Sequence, residues 1–178
     1  MLSKKWYNLS MASFIPISPE ELKNILLKAN VIKDNDWLDA DKNAKRRRRN
    51  IEEVLIERGF FNERYLYELI GDYLKVPYVN LRKRKLEDNI LDELSHDVVN
   101  KAKAVPFETE DNKLKVAFVD PKDTKKIDLV KKSTSKEVTV FMTSQKNFRF
   151  ASRLYERNMK EELTKILHTK ILKTNGKP

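Results

Sequence analysis

The stretch "KLKVAFVDPKD", residues 113–123, decides the fold of the second half of the chain. Its apolar and β-branched residues predict a strand that ends at Asp120-Pro121, ahead of a charged segment. The preceding run "AVPFETE", residues 104–110, is also rich in strand-forming residues, and only two polar residues separate the runs. Two such runs with a short polar link predict a β-hairpin.

The segments around this hairpin predict a small sheet with helices packed against it. "LEDNILDELSHDVVNKAK" (86–103) is helical and broken near Ser95, while "KEVTVFMT" (136–143) alternates as a strand does. "PKDTKKIDLVKKST" (121–134) predicts a helix with a proline start, and "SQKNFRFASRLYERN" (144–158) predicts another. The order from residue 104 onward is therefore β-β-α-β-α.

The first half of the chain predicts helices alone. Ser18 to Glu21 supply an N-cap, a proline at the first helical position and a capping-box glutamate. Further helices are predicted from about Asp34, over "NIEEVLIER" (50–58) and over "NERYLYELIGDYL" (62–74). Four helices separated by short turns predict two helical hairpins.

The pattern of these two hairpins indicates one unit used twice, and the alternative is that any two helical hairpins share such spacing. A shift of 29 residues superimposes seven positions, because Leu22, Ile25, Leu26, Leu27, Asn30, Val31 and Ile32 fall on Ile51, Val54, Leu55, Ile56, Gly59, Phe60 and Phe61. Asn30 and Gly59 fall at the turns, and both residue types accept a positive φ. The apolar pair that follows each turn is expected to fill the corner between the helices.

The sequence thus predicts the α+β class, with an N-terminal helical bundle of two helical hairpins followed by a small β-β-α-β-α sheet domain. Four parts are expected: an N-terminal extension (1–17), the helical subdomain (18–76), the small α/β subdomain (77–158) and a C-terminal helix or linker (159–178).

Composition favours anionic partners and excludes several kinds of site. The 37 Lys and Arg against 27 Asp and Glu give a formal charge of +10, which suits nucleic acid, acidic protein or a phospholipid surface. The chain has no cysteine, so it forms no disulfide or thiolate metal site. It has three glycines, and no phosphate-binding GxxxxGK[ST] or GxGxxG sequence occurs. His96 and His168 lie far apart, so no paired-histidine zinc motif exists, and we expect no cofactor.

Two runs of cations are candidate contacts for a partner or an anion. The first comprises Lys45, Arg46, Arg47, Arg48 and Arg49, and the second comprises Arg82, Lys83, Arg84 and Lys85. Such runs are commonly solvated loops that aid solubility. They also suit acidic protein surfaces or anionic lipid headgroups, near which each cation contributes about 1 kcal/mol.

Three segments in succession resemble the N-terminal domain of type II secretion and type IV pilus assembly ATPases. They are "FFNERYLYELIGDYLKVPYVNL", "VVNKAKAVPFETEDNKLKVAFVDPKD" and "VTVFMTSQKNF", and the resemblance covers roughly residues 18 to 158. The positions that carry the motif are Gly59, Pro77, Pro106, Asp120 and Pro121. In this interpretation the strand ends at the Asp-Pro pair, and the proline lies in the first turn of the next helix.

This resemblance implies a non-catalytic docking or regulatory domain. In that family the Walker loop lies in a separate C-terminal ATPase domain, which would act in cis or in trans with this chain. The implied partner is an inner-membrane secretion or pilus platform protein. The implied location is cytoplasmic, with a peripheral position at the inner membrane if the basic runs meet lipid. Contact with a partner or lipid is favoured over the alternative, a basic nucleic-acid-binding protein, because no aromatic residues are interleaved with the basic runs.

Some members of that family bind cyclic di-GMP through two tandem Arg-Leu-Gly motifs, which makes a cyclic di-GMP-binding regulatory domain a lesser alternative. Carried over to this chain, the arginine falls on Glu21 and Asn50, the first glycine on Lys23 and Glu52, and the closing glutamine on Ala44 and Tyr73. A carboxylate repels the dinucleotide where arginine would stack on guanine. We therefore expect no specific cyclic di-GMP binding.

Overall fold

The computed structural model describes residues 15–157 and Thr164. The helical region, residues 15–76, contains four helices: α1 (Pro19–Lys28), α2 (Asp34–Arg47), α3 (Ile51–Glu57) and α4 (Glu63–Leu74). The predicted pair of helical hairpins is therefore confirmed.

Local side-chain contacts start these helices where the sequence predicts. The Glu21 N–H donates to Ser18 Oγ (3.2 Å), and the Ser18 N–H donates to Glu21 Oε2 (2.7 Å), so the capping box of α1 is complete. Asn62 caps α4 in a similar way, because its Oδ1 accepts from the Tyr65 N–H at 2.9 Å.

The 29-residue repeat is visible in the hydrogen bonds of the turns. The N–H of Val31 donates to Leu26 O at 3.0 Å, and 29 residues later that of Phe60 donates to Leu55 O at 3.3 Å. The preceding N–H groups, those of Asn30 and Gly59, also donate to equivalent carbonyl groups. The φ values of these two residues are 54° and 76°. Both hairpins therefore close through the same left-handed turn.

The core of the helical region contains Leu22, Leu26, Trp37, Ala40, Val54, Leu55, Leu66 and Ile70, with Ile32 and Phe61 at the two corners. Ile15 and Ile17 belong to the same core and are 7% and 5% exposed. They lie in the stretch predicted to be an N-terminal extension. The packed structure thus begins before Ser18, because these two isoleucines supply apolar surface that covers the bundle.

The sheet region, residues 77–157, contains the predicted mixture of strands and helices. After a 3-10 helix at Leu81–Lys83, its elements are α5 (Asp88–Leu91), α6 (His96–Ala102), β1 (Ala104–Glu110), β2 (Lys113–Phe118), α7 (Thr124–Lys132), β3 (Glu137–Met142) and α8 (145–157). The strand order is β1-β2-β3, with β1 antiparallel and β3 parallel to β2. The α+β class and the β-β-α-β-α order are confirmed.

The hairpin link and the helix break fall where the sequence predicts, whereas the role given to Pro121 is wrong. Asp111 takes a φ of 51° between β1 and β2, and Ser95 caps α6. α7 begins at Thr124 rather than at Pro121, because Asp123 is its N-cap and accepts from the Lys126 N–H at 3.2 Å. The carboxylate of Asp120 accepts from the Lys122 N–H at 3.0 Å, so the Asp-Pro pair forms a separate turn.

The two regions meet at the end of β3. The side chain of Met142 is fully buried in the core of the helical region. Its main chain bonds to the link between the regions, because its N–H donates to Pro77 O (2.8 Å) and its carbonyl accepts from the Val79 N–H (2.8 Å). The remaining buried apolar residues of the sheet region form a second core around Phe118, Leu114, Val116 and Phe148.

The predicted C-terminal helix or linker, residues 159–178, lies outside the described residues except for Thr164. Within the described part of the chain, no helix has the length and apolar character needed to cross a membrane.

Candidate functional site

The first basic run lies at the end of α2 and beyond it. Lys45, Arg46, Arg47 and Arg48 are exposed, and Arg48 ends the helix with a φ of 53°. Lys45 pairs with Asp41, and Arg46 donates to Asn43 Oδ1 at 3.0 Å. The side chains of Arg47 and Arg48 form no hydrogen bond or ion pair with any described residue. Within this run, these two cations are therefore the most available to a partner.

Arg49 differs from the other members of this run. Its guanidinium pairs with Glu53 at 3.1 Å and with Glu57 at 2.5 Å. Hydrogen bonds to Glu57 and then Glu53 raise the pKa of Arg49 above its usual range. Its charge is thus largely balanced by α3, and it joins the end of the first hairpin to the start of the second.

The second basic run is attached to the sheet region. Arg82 lies over the ring of Phe150, with 5.8 Å from its guanidinium carbon to the ring centroid. Arg84 lies 5.9 Å from the centroid of Phe107 and pairs with Glu108 at 3.4 Å. Lys83 and Lys85 are also exposed, and Lys85 pairs with Glu87 at 3.3 Å. Two of the four cations therefore cover aromatic rings.

The other motif positions have structural contacts. Gly59 makes the left-handed turn of the second hairpin, and the Pro77 carbonyl accepts from Met142. Pro106 lies in β1 beside a break in the pairing register between residues 106 and 108.

A cleft of about 140 Å³ lies between the two regions. Glu52, Glu53, Ile56, Glu63 and Tyr67 line one side, and Gln145, Lys146 and Arg149 line the other. Lys146 pairs across it with Glu63 at 3.2 Å. Glu52 is only 5% exposed, so a buried acidic residue lines a cleft that also has two cations in its lining.

In the wall of this cleft, Tyr67 packs on the link between the regions. The rings of Tyr67 and Tyr78 stack with centroids 5.5 Å apart. The Tyr78 hydroxyl accepts from Asn147 Nδ2 at 2.9 Å. Burial, followed by the charges of Glu63 and Glu52, raises the pKa of Tyr67, so this hydroxyl stays protonated at neutral pH.

The six positions expected to correspond to the cyclic di-GMP motif are occupied by residues with internal contacts. In the first copy, the Glu21 carboxylate caps α1 and also accepts from the Tyr73 hydroxyl at 3.4 Å. The hydrogen bonds from Ser18 lower the pKa of Glu21, so its carboxylate is ionised at neutral pH. Lys23 pairs with Asp34 at 2.8 Å, and Ala44 is buried.

In the second copy, Asn50 precedes α3 as its N-cap and Glu52 is buried in the first turn of that helix. Tyr73 is half exposed and, through Glu21, joins the second copy to the first. Neither copy offers an arginine or a glycine at the positions where the motif needs them. In the described part of the chain, no cluster of His, Asp and Glu could hold a metal ion.

Residues 74–162, half of the chain, match the MshEN domain family, and the chain belongs to that family. The resemblance to the N-terminal domain of type II secretion and type IV pilus assembly ATPases is thereby confirmed. A relative is the type IV pilus assembly ATPase PilB of Thermus thermophilus, which is 26% identical over 141 residues. The match covers 78% of this chain and 16% of PilB.

The structure of MshE supports the same fold, and a second solved structure matches the chain less closely. A structure of MshE with cdg (cyclic di-GMP) aligns with 75% of this chain and over 97% of its own length. The TM-score is 0.58 and the sequence identity is 17%. A structure of the N-terminal domain of XpsE covers 75% of the chain, is covered to 92%, and has a TM-score of 0.49 and 20% identity.

Sequence reasoning found the basic runs but missed the cleft. The Glu63–Lys146 pair joins residues 83 positions apart, and Glu52 and Arg149 are farther apart still. No local pattern marks such residues as neighbours. The one available signal was Glu52, an acidic residue on the apolar side of a predicted helix.

Proposed function

We propose that this chain is a non-catalytic docking domain of a secretion or pilus ATPase, and that it binds an inner-membrane platform protein. Membership of the MshEN family carries this proposal. The chain matches only 16% of the length of PilB, so it need not contain the part of that protein that carries the catalytic activity. The domain would act from the cytoplasmic face and link the platform to the ATPase.

Two features of the surface support docking. The exposed cations Arg47 and Arg48 lack partners among the described residues, and they are available to an acidic protein or to anionic lipid headgroups. The second run is more rigid, because Arg82 and Arg84 lie over aromatic rings, and ordered side chains lose less entropy on binding.

The test is a binding titration with the cytoplasmic segment of the platform protein from the same genome. We expect saturable binding by the unmodified chain, with weaker binding by a variant carrying Arg47→Ser and Arg48→Ser. A random DNA duplex serves as the competitor. Tighter binding to DNA than to the platform segment, with a steep loss as salt is raised, would instead establish the nucleic-acid-binding alternative.

A regulatory role through cyclic di-GMP is the second candidate, and the MshE structure with cdg favours it. The residues oppose it, because Glu21 presents a carboxylate and Glu52 is buried at the positions where the motif has arginine and glycine. We expect calorimetry to show no more affinity for cyclic di-GMP than for linear GMP. Salt-resistant, saturable binding would establish the regulatory role.

A gain-of-binding variant tests whether the alignment of the motif is correct. It combines Glu21→Arg and Lys23→Gly in the first copy with Asn50→Arg and Glu52→Gly in the second. If the 29-residue repeat positions the motif correctly, this variant acquires affinity for cyclic di-GMP. Its melting temperature is the control, because Glu21 caps α1 and its removal costs stability.

A further inference from the structure

The two outer strands of the sheet differ in how their free edges are protected. β1 carries Pro106 and has a register break between residues 106 and 108. Proline and irregular pairing both prevent another strand from adding to an edge. β3, "EVTVFM", has neither proline nor glycine and pairs in unbroken register with β2.

The hydrogen bonds at the ends of β3 show which of its residues face outward. The Glu137 N–H donates to Asn112 O and the Thr143 N–H donates to Phe118 O, each at 2.9 Å. Because main-chain groups alternate along a parallel strand, odd-numbered residues bond to β2 and even-numbered residues face the free edge. Met142 confirms this alternation, since its outward groups bond to Pro77 and Val79.

Val138 and Val140 are the other outward residues of β3. Among the described residues, no main-chain hydrogen bond reaches their outward side. The segment 77–79 already pairs in parallel with this edge at Met142, so the edge has the geometry that an added strand needs. The segment covers only the last outward residue and leaves two donors and two acceptors open.

The helix that contacts β3 is basic on its exposed side. α7 contacts β3, and it exposes Lys125, Lys131 and Lys132 against one exposed acid, Asp128. The one exposed acid of β3 itself is Glu137, at its start. The exposed lysines of α7 therefore make the surface next to β3 more favourable to an acidic segment than to a basic one.

We propose that the free edge of β3, at Val138 and Val140, binds an extended acidic segment of a protein partner as an added strand. Main-chain hydrogen bonds would hold the segment, and the lysines of α7 would select acidic side chains. The inference relies on the proposed function only for the identity of the partner, because the site itself is defined by this chain.

The test uses synthetic heptapeptides and amide hydrogen exchange followed by NMR. In the free protein, we expect fast exchange at Val138 and Val140 and slow exchange at Thr139 and Phe141. An acetylated, amidated peptide of alternating Glu and Val should slow exchange at Val138 and Val140 in a saturable manner. The same peptide with Lys in place of Glu, and one with alternate amides N-methylated, should bind more weakly.

A pair of variants separates the main chain from the side chain. Val140→Pro removes one outward N–H and is expected to weaken peptide binding about fivefold or more. Val140→Thr keeps that N–H and should retain binding. Slow exchange at Thr139 and Phe141 in each free variant shows that pairing with β2 survives. If Val140→Pro fails to fold, the proposal is tested by the unmodified protein alone, through the slowing of amide exchange at Val138 and Val140 by the acidic peptide.

Three results would overturn the proposal: no binding of the acidic peptide, protection confined to residues outside β3, or equal binding of the acidic and basic peptides. Because the peptides contain no platform sequence, a negative result with them does not test platform binding. Platform binding is tested by its own titration. Conversely, a negative platform titration does not affect the peptide result.

Discussion

The helical region and the sheet region are stabilised in different ways. The helical region repeats one hairpin, and its two turns share the same hydrogen bonds at a spacing of 29 residues. The sheet region depends on contacts between distant segments, above all the parallel pairing of β2 and β3 and the bonds of Met142 to the link. Local contacts therefore determine the first region, whereas the second is determined by its topology.

The shared residue Met142 makes the two regions interdependent. It belongs to β3 by its main chain and to the helical core by its side chain. A domain boundary near residue 76 remains a prediction. The side chain of Met142 suggests that the regions unfold together.

The largest effect is expected from Met142→Ala. Removing a fully buried side chain should lower the free energy of unfolding by about 2–5 kcal/mol. Urea unfolding followed by circular dichroism measures it. Leu38→Ala, on a side chain that is 52% exposed, is the control and should change stability by less than about 0.5 kcal/mol. A small loss, or two separate transitions, would show that the regions are independent.

A smaller loss is expected from Gly71→Ala in α4. A Cβ atom there would lie 2.6 Å from the main-chain oxygen of Val76, so the backbone must shift. We expect a loss of about 1–3 kcal/mol. Asp72→Ala, at an exposed position of the same helix, is the matched control. Equal melting temperatures for the two variants would mean that the helix end and the link move apart freely.

The equivalence of the two hairpins is tested at their turns. Gly59→Asn should be tolerated within about 0.5 kcal/mol, because Asn30 has the same conformation in the first hairpin. Gly59→Val should cost about 1–2 kcal/mol, although its side chain has open space, because a β-branched residue is strained at positive φ. Thermal melting measures both. Similar losses for Asn and Val would contradict the equivalence of the turns.

The smallest effect on stability is expected from Arg47→Ser combined with Arg48→Ser. Both side chains are exposed, so the melting temperature should stay nearly constant while binding to the platform segment or to anionic vesicles weakens. Arg49→Ser is the contrasting variant, because it breaks ion pairs to Glu53 and Glu57. Loss of stability without loss of binding in the double variant would exclude a contact role.

The sequence predicted features that depend on near neighbours. The capping box at Ser18, the turns at Asn30 and Gly59 and the break at Ser95 each involve residues within one helical turn. The start of α7 was misplaced because two local signals compete. Pro121 fits a helix start, but the hydrogen bonds of Asp120 and Asp123 place the turn first and the helix three residues later.

The features that the sequence did not predict depend on distant residues. Ile15 and Ile17 join the helical core from a segment with no periodic pattern of its own. The two basic runs look alike in the sequence, yet Arg82 lies over Phe150 whereas Arg47 has no partner among the described residues. Only the folded chain distinguishes an attached cation from an available one.

We propose that this domain binds its protein partner without a nucleotide. The most direct test is a calorimetric titration of the platform protein's cytoplasmic segment into the chain, in the presence and absence of saturating cyclic di-GMP. We expect the same saturable binding in both titrations. Binding that occurs only with cyclic di-GMP, or no binding in either titration, would contradict it.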